Sequence, residues 1–325
     1  MSMTDTDMNT GRPVLASTER EAIEKLLAEH IREQRLHRRW GIFFKLSALL
    51  VVLVVLLVFA DFDGGDSHAS APHTALVEID GEIAAGTIAS AQNVNAALNR
   101  AFDDQNSVGV ILRINSPGGS PVQAGMINDE ISRLRKKYPK KPVHVVVEEM
   151  CASGGYYIAV AADRIYVNQA SIVGSIGVLM DGFGFTGLMG KLGVERRLMT
   201  AGENKAMLDP YSEANARHKA FAQTMLNEIH QQFIEAVRKG RGKRLKETPD
   251  MFSGLFWNGA RSVELGLADG LGTVDSVARD VIKQADVVDY TEHEGWGERV
   301  FKRFGVAVGM GAVQSLAPSK NMRIH

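Results

Sequence analysis

The feature that most constrains the fold is a strand-to-helix junction at Glu149–Tyr157 (EMCASGGYY). The apolar run Val143–Val147 before it is typical of a buried strand, and Ile158–Ala162 after it is typical of a short buried helix. Ser153 and two glycines therefore stand at a helix N-terminus, where outward-pointing backbone N–H groups favour developing negative charge. The alternative interpretation is a serine that only caps the helix, followed by the glycines of a tight turn.

Strands and helices alternate along most of the chain after residue 74. This alternation predicts an α/β fold with a largely parallel sheet and crossover helices. The predicted strands are Ala75–Ile83 (with a turn at Asp80–Gly81), Val108–Ile114, Val143–Val147, Ile165–Val167 and Arg196–Met199. The predicted helices are Ala91–Phe102, Val122–Lys137, Ile158–Ala162, Phe185–Leu192, Ser212–Lys239 and Val274–Ala285.

The N-terminal region contains an apolar run, Leu46–Ala60, which with Gly41–Phe44 gives about the 20 residues needed to cross a bilayer. Arginines precede this run and aspartates follow it, which orients the N-terminus toward the cytoplasm. The sequence thus predicts a cytoplasmic arm (1–40), one transmembrane signal anchor in contact with lipid (41–60) and a linker (61–74). The expected location is the inner (plasma) membrane, single-pass, with the following domain periplasmic or extracytoplasmic. A cleaved signal peptide ending near Ala69–Ala71 is the alternative, but the charged stretch before the run is longer than signal peptides carry.

Composition narrows the class of protein. The formal net charge of -1 gives no sign of a nucleic-acid-binding protein. The single cysteine, Cys151, excludes an intrachain disulfide and a cysteine-cluster metal site. No cofactor and no metal are predicted. The tail 291–325 is assigned no role.

A second Gly-rich junction, Ser116–Gly119, ends the strand before the one that leads to Ser153. The N–H groups of Gly119 and Gly154 are predicted to converge as an oxyanion hole beside the Ser153 hydroxyl. A serine nucleophile needs a base. A Ser-His-Asp triad is disfavoured, because the nearest histidines lie within a strand (His144) and in a charged helix (His218).

Lysine is the other candidate base. Lys205 follows a predicted strand in the segment TAGENKAMLDP. A loop lysine is ordinarily solvated, so its position alone does not establish a role.

Four segments in order, INSPGG, ASGGYY, VGSIGV and AGENK followed by a long helix, resemble the S49 peptidases, in particular the half-length, membrane-anchored signal peptide peptidase A type. The resemblance covers about Leu76–Val281 and implies a peptidase domain over 75–290 with the fold shared by Clp protease and the crotonases.

The resemblance also implies the roles of individual residues. Ser153 matches the nucleophile and Lys205 the base of a Ser/Lys dyad. Ser175 matches the serine that hydrogen-bonds the lysine, and Gly119 and Gly154 match the oxyanion donors.

The function implied is a membrane-anchored serine endopeptidase that cleaves signal peptides already released, or other hydrophobic peptides, outside the membrane. Members with one copy of the domain are expected to form ring-shaped homo-oligomers that share the dyad between protomers. Two alternatives stay open. One is a crotonase-like acyl-CoA enzyme, with Glu148 and Glu149 as carboxylates near the oxyanion hole. The other is a non-catalytic membrane scaffold.

Overall fold

The structure, a computed structural model, describes residues 38–54 and 71–292. It falls into two units, Met1–Ser67 and His68–His325. In the first, residues 38–54 are helical, and the rings of Trp40, Phe43 and Phe44 contact one another with centroids 5.7 to 5.8 Å apart.

The predicted anchor is only partly described. Within residues 38–54 and 71–292, no helix combines the length and the apolar character that crossing a membrane requires. Residues 55–60 of the predicted anchor, 61–70 of the linker, 1–37 of the arm and 293–325 of the tail lie outside the described residues.

The second unit is built on one sheet. Its strands run in the order β6-β5-β3-β2-β1-β8, with β4 also beside β3 and β7 beside β4. Every pairing is parallel except that of β5 with β6, which confirms the prediction of a largely parallel sheet. The strands are β1 (His73–Asp80), β2 (Ser107–Ser116), β3 (Val143–Ala152), β4 (Arg164–Val167), β5 (Ile172–Gly174), β6 (Phe256–Asn258), β7 (Gly270–Leu271) and β8 (Val287–Asp289).

Helices cross between the strands. Side chains start two of them, because Ser90 Oγ accepts from Asn93 N–H and Ser120 Oγ accepts from Gln123 N–H, both at 3.4 Å. The helices are α1 (Ala91–Asp103), α2 (Pro121–Lys137), α3 (Gly154–Ala159), α4 (Thr186–Leu192), α5 (Ala216–Arg241), α6 (Gly259–Glu264) and α7 (Val274–Ser276), the last continuing as a π-helix (Val277–Ile282).

Alternate residues of the central strands bury on opposite faces of the sheet. Val110, Leu112 and Ile114 of β2 join the main core with the inner sides of α1 and α2, whereas Ile111 joins a smaller cluster with Val277. Because both faces are covered, the central strands are apolar almost throughout. The sheet therefore holds the ends of β2 and β3, and the two Gly-rich junctions that follow them, side by side.

The segment before α5 departs from the prediction. The predicted strand Arg196–Met199 is wrong, because these residues are irregular and exposed and pair with no strand of the described chain. Residues 179–215, which we call the lysine segment, contain the short helix α4, and α4 buries no residue. The segment is tied to itself by polar contacts and by Phe185 stacked on Tyr211 with centroids 5.5 Å apart.

Candidate active site

Ser153 lies between the end of β3 and the start of α3 in an unusual backbone conformation. Its φ of 50° and ψ of -120° are strained for a residue with a side chain. Such a conformation costs about 1–3 kcal/mol and persists only where the surroundings impose it. Here Ser153 N–H donates to Gly174 O, and Ser153 O accepts from Tyr157 N–H, both at 2.9 Å. Ser153 is half-buried at this sharp turn, directly before the first backbone N–H groups of α3.

The two Gly-rich junctions are in contact. A Cβ placed on Gly118 would lie 2.6 Å from Ser153 Cβ and 2.7 Å from Gly154 N, and one on Gly154 would lie 3.3 Å from Gly119 N. Within the described part of the chain, neither Gly119 N–H nor Gly154 N–H donates to a protein acceptor. The structure thus brings together Ser153 and both predicted oxyanion donors.

Hydrogen bonds fix the junction after β2. Ser116 Oγ accepts from Gly118 N–H at 3.1 Å and donates to Gly81 O at 2.6 Å. Gly118 O accepts from Ile83 N–H at 2.9 Å. Ser116 is fully buried, so its hydroxyl holds the backbone of the junction in place from inside the protein. Donors that are fixed before a reaction need no reorganisation when charge develops.

Ser175 lies on a loop against the same site. Its φ of 53° is left-handed, and its N–H donates to Leu255 O at 2.8 Å. A Cβ on Gly174 would lie 2.9 Å from the Trp257 ring, so the indole packs directly on this backbone. The next residue, Ile176, is fully buried.

A cavity of about 500 Å³ joins these groups. Ser153, Ser175, Gly119 and Gly154 all line it. The other lining is mainly small or apolar: Pro117, Pro121, Ala124, Tyr157, Gly177, Val178, Leu179, Ile229, Gln232, Phe233, Ser253 and Gly254. The cavity therefore has room for an apolar side chain beside the Ser153 hydroxyl and the N–H groups of Gly119 and Gly154.

Lys205 is not brought to this cavity within the chain. It is exposed on the lysine segment and does not line the Ser153 cavity. Its neighbours are tied to the start of α5, with Asn204 Oδ1 3.2 Å from His218 Nε2 and Glu203 paired with Arg217 at 2.6 Å. Of the five predicted site residues, Ser153, Ser175, Gly119 and Gly154 line one cavity. Lys205 does not line it.

The other titratable candidates lie elsewhere. Burial lowers the pKa of His144, which sits in β3 with its ring 5.9 Å from Tyr166 and does not line the cavity. Burial raises the pKa of the Cys151 thiol far above its usual range, so this residue is no thiolate nucleophile. Glu148 and Glu149 line a separate cavity of about 750 Å³. That position gives no support to an acyl-CoA site with these carboxylates.

Two contributors were missed by the sequence analysis. Ser116 belongs to the INSPGG segment, and its part in holding Gly118 follows only from the fold. His230 of α5 contacts the Ser175 loop, with Nε2 3.1 Å from Ile176 O. A histidine in an amphipathic helix gives no signal of a contact 54 residues away in sequence.

In residues 38–54 and 71–292, no group of three or more His, Cys, Asp or Glu side chains is placed to hold a metal ion.

Comparison with known proteins gives relatives of several lengths. The chain is 47% identical over 182 residues to a Na(+)/H(+) antiporter NhaA of Brucella abortus, which is 56% of this chain but 25% of that protein. It therefore spans a quarter of that relative's length. It is 29% identical over 200 residues to a protein of Enterococcus faecium provisionally named signal peptide peptidase SppA, covering 62% of this chain and 58% of that one.

A protein of Methanocaldococcus jannaschii, provisionally named a protease, is 32% identical over 218 residues, covering 65% of this chain and 69% of that one. The family model of peptidase family S49 matches residues 135–288. This match begins in α2 and includes Ser153, Ser175 and Lys205. On these findings, the chain belongs to peptidase family S49.

Proposed function

We propose that the protein is a serine endopeptidase with a Ser/Lys dyad that hydrolyses signal peptides already released, or other hydrophobic peptides, on the outer side of a membrane. The observation on which this rests is the contact between the two Gly-rich junctions. It puts a strained serine and the backbone N–H groups of Gly119 and Gly154, which have no acceptor among the described residues, in one cavity. Ser153 is the nucleophile, Gly119 and Gly154 donate to the oxyanion, and Lys205 is the base.

The reaction follows from these roles. The neutral amine of Lys205 takes the proton of Ser153 as Oγ attacks the peptide carbonyl carbon, and the carbonyl oxygen receives hydrogen bonds from both glycine N–H groups. The C–N bond then breaks, and the ammonium gives its proton to the leaving amine. Water, activated by the same amine, hydrolyses the acyl ester and frees Ser153. Ser175 directs the lysine amine toward the nucleophile.

The position of Lys205 favours a site shared between two copies of the chain. Lys205 is exposed and does not line the Ser153 cavity, which supports the proposal that a neighbouring protomer supplies the base. The lysine segment also exposes large apolar side chains to an extent that is unusual for a monomer: Leu179, Met180, Phe183, Phe185, Leu188, Leu192, Val194, Leu198, Met199, Leu208 and Tyr211. We infer that this surface packs on the next protomer of a ring and delivers Lys205 there.

The substrate class is inferred from the cavity wall. The rings of Tyr157 and Phe233 lie 5.1 Å apart, and both line the cavity with Ala124 and Ile229. Among residues 38–54 and 71–292, no charged side chain lines it. Such a wall favours peptides with apolar side chains near the scissile bond.

Complementation tests the dyad and its sharing together. Ser153→Ala and Lys205→Ala should each abolish hydrolysis of a fluorogenic apolar peptide, whereas Lys191→Ala, an exposed lysine of the same segment, should keep it. A co-assembled equal mixture of the two inactive variants should regain about a quarter of the sites, since each site needs one intact residue from each side. Full activity of Lys205→Ala would remove lysine from the mechanism. No recovery in mixed oligomers, shown to have formed, would mean that each protomer holds its own dyad.

Labelling tests the membrane arrangement. A cysteine placed in 61–74 should react with an impermeant maleimide from outside intact cells, and one placed in 1–13 should not. Cys151 adds little background because its thiol is buried. The reverse pattern would put the peptidase domain in the cytoplasm.

A further inference from the structure

His230 approaches the site from the outside of the Ser175 loop. It is half-buried on α5, and its Nε2 lies 3.1 Å from Ile176 O. A carbonyl oxygen only accepts, so Nε2 carries the proton in this contact. The same turn of α5 contributes Ile229 and Phe233 to the cavity wall. His230 therefore connects the helix that lines the cavity with the loop that positions Ser175.

The loop needs such support. A left-handed backbone at a serine is strained and persists only when the surroundings hold it. Ser175 N–H donates to Leu255 O and Gly174 O accepts from Ser153 N–H. Both of these hydrogen bonds are made by the peptide group that joins Gly174 to Ser175. The hydrogen bond from His230 fixes the carbonyl group of Ile176. It therefore fixes the direction of the backbone that follows Ser175.

We propose that His230 is a positioning residue of the peptidase, which acts through Ser175 and touches neither the substrate nor the reacting atoms. This inference rests on the proposed function, in which Ser175 directs the lysine amine. It differs from a role in packing α5, because a packing role would lower stability without acting through Ser175.

The experiment compares five variants of the full-length, oligomeric protein by kcat and KM on the fluorogenic peptide. His230→Leu, which cannot donate, should lower kcat about tenfold to a hundredfold, the effect of misplacing a group near the reaction by up to about 1 Å, with KM unchanged. His230→Gln, whose amide nitrogen reaches about as far as Nε2, should retain most of kcat. Gln231→Ala, at the exposed neighbouring position, should match the wild type.

The fourth variant is the double mutant His230→Leu/Ser175→Ala, and the fifth is the single mutant Ser175→Ala. If His230 acts through Ser175, the double mutant should have the kcat of Ser175→Ala alone, because the group being positioned is already gone. A further loss of the same size as in the single mutant would overturn the proposal and leave a structural role. A wild-type kcat in His230→Leu would overturn it as well.

Folding and function are checked separately. Thermal unfolding and sizing identify a His230→Leu protein that is not assembled. In that case the test uses His230→Asn, whose side chain is polar but too short to reach Ile176 O. The same loss of kcat is expected for this variant, and a wild-type kcat would overturn the proposal. If Ser153→Ala hydrolyses the peptide as fast as the wild type, the proposed function itself fails. If Ser153→Ala is inactive and His230→Leu is normal, only the positioning role fails.

Discussion

Replacing Gly118 with alanine tests the contact on which the proposed active site depends. Gly118 has a φ of 106°, which an L-residue adopts at a cost of about 1–3 kcal/mol. The added Cβ would lie 2.6 Å from Ser153 Cβ and 2.7 Å from Gly154 N. The loop cannot easily move away from Ser153, because Gly118 N–H donates a hydrogen bond to Ser116 Oγ and Gly118 O accepts one from Ile83 N–H.

The size of the effect follows from these distances. Ordinary carbon–carbon contacts are about 3.5–4.0 Å, so Ser153 and the Gly118 backbone have to separate by about 1 Å. A displacement of this size at a reacting group costs about a hundredfold in rate, equivalent to about 2.7 kcal/mol of transition-state stabilisation. Overpacking adds about 1–3 kcal/mol of lost stability to the cost of the left-handed backbone.

The assay is kcat/KM for a fluorogenic apolar peptide, together with labelling of Ser153 by a fluorophosphonate and urea unfolding. Gly118→Ala should lose about a hundredfold in kcat/KM and in the rate of labelling. The matched control is Gly125→Ala on the neighbouring α2, where an added Cβ meets no atom within 4 Å. It should keep activity and gain up to about 1 kcal/mol from helix propensity. A Gly118→Ala protein with nearly normal activity, beside an inactive Ser153→Ala, would refute the arrangement of the two junctions.

Three further outcomes are expected. Asp269→Asn should cost about 3–5 kcal/mol in urea unfolding, because it removes the partner of the buried Arg241 guanidinium, 2.7 Å from the carboxylate; a loss below 1 kcal/mol would contradict this. Burial lowers the pKa of His144 below its ordinary value of 6.5, so the unfolded chain binds more protons. The free energy of unfolding that His144 contributes is therefore present above pH 6.5 and lost as the pH falls through the lower, folded pKa. His144→Leu should flatten the stability profile between pH 7 and pH 5, and an unchanged slope would contradict the assignment. Cys151 in the native protein should not react with maleimide at neutral pH, since burial raises the pKa of its thiol; rapid labelling with loss of activity would contradict the burial.

The pattern of apolar residues predicted the existence of an element best where the element is apolar and bounded by residues typical of helix caps or turns. Helix α1 was predicted as Ala91–Phe102 and runs Ala91–Asp103. The short helix after Ser153 was predicted at Ile158–Ala162, but it begins four residues earlier, at Gly154, and ends at Ala159. Strand β3 was predicted to end at Val147 but continues to Ala152, because β5 pairs with Met150–Ala152. Two polar residues, Glu148 and Glu149, interrupt the apolar pattern there, and pattern alone cannot supply the distant partner strand.

The rest of the site depends on contacts between distant segments. The sequence predicted a strand at Arg196–Met199, but in the part of the chain that the structure describes no strand lies beside it to complete the hydrogen bonds. The contact of His230 with Ile176 and the bond from Ser116 to Gly118 follow from how helices and loops pack, which residue spacing does not encode. The resemblance to S49 peptidases implied that Ser153 and Lys205 act as a dyad. In the fold, Ser153 lines a cavity with Gly119 and Gly154, whereas Lys205 is exposed.

The exposure of the lysine segment bears on when hydrolysis can start. Under the shared-site proposal, a newly made protomer holds a nucleophile without its base and is harmless to the peptides around it. Activity then appears only as protomers meet, so it rises more steeply than in proportion to their surface density and falls on dilution. Assembly would thus act as the activation step that other proteases obtain by cutting a precursor. Proteolysis would be confined to places where the protein has accumulated.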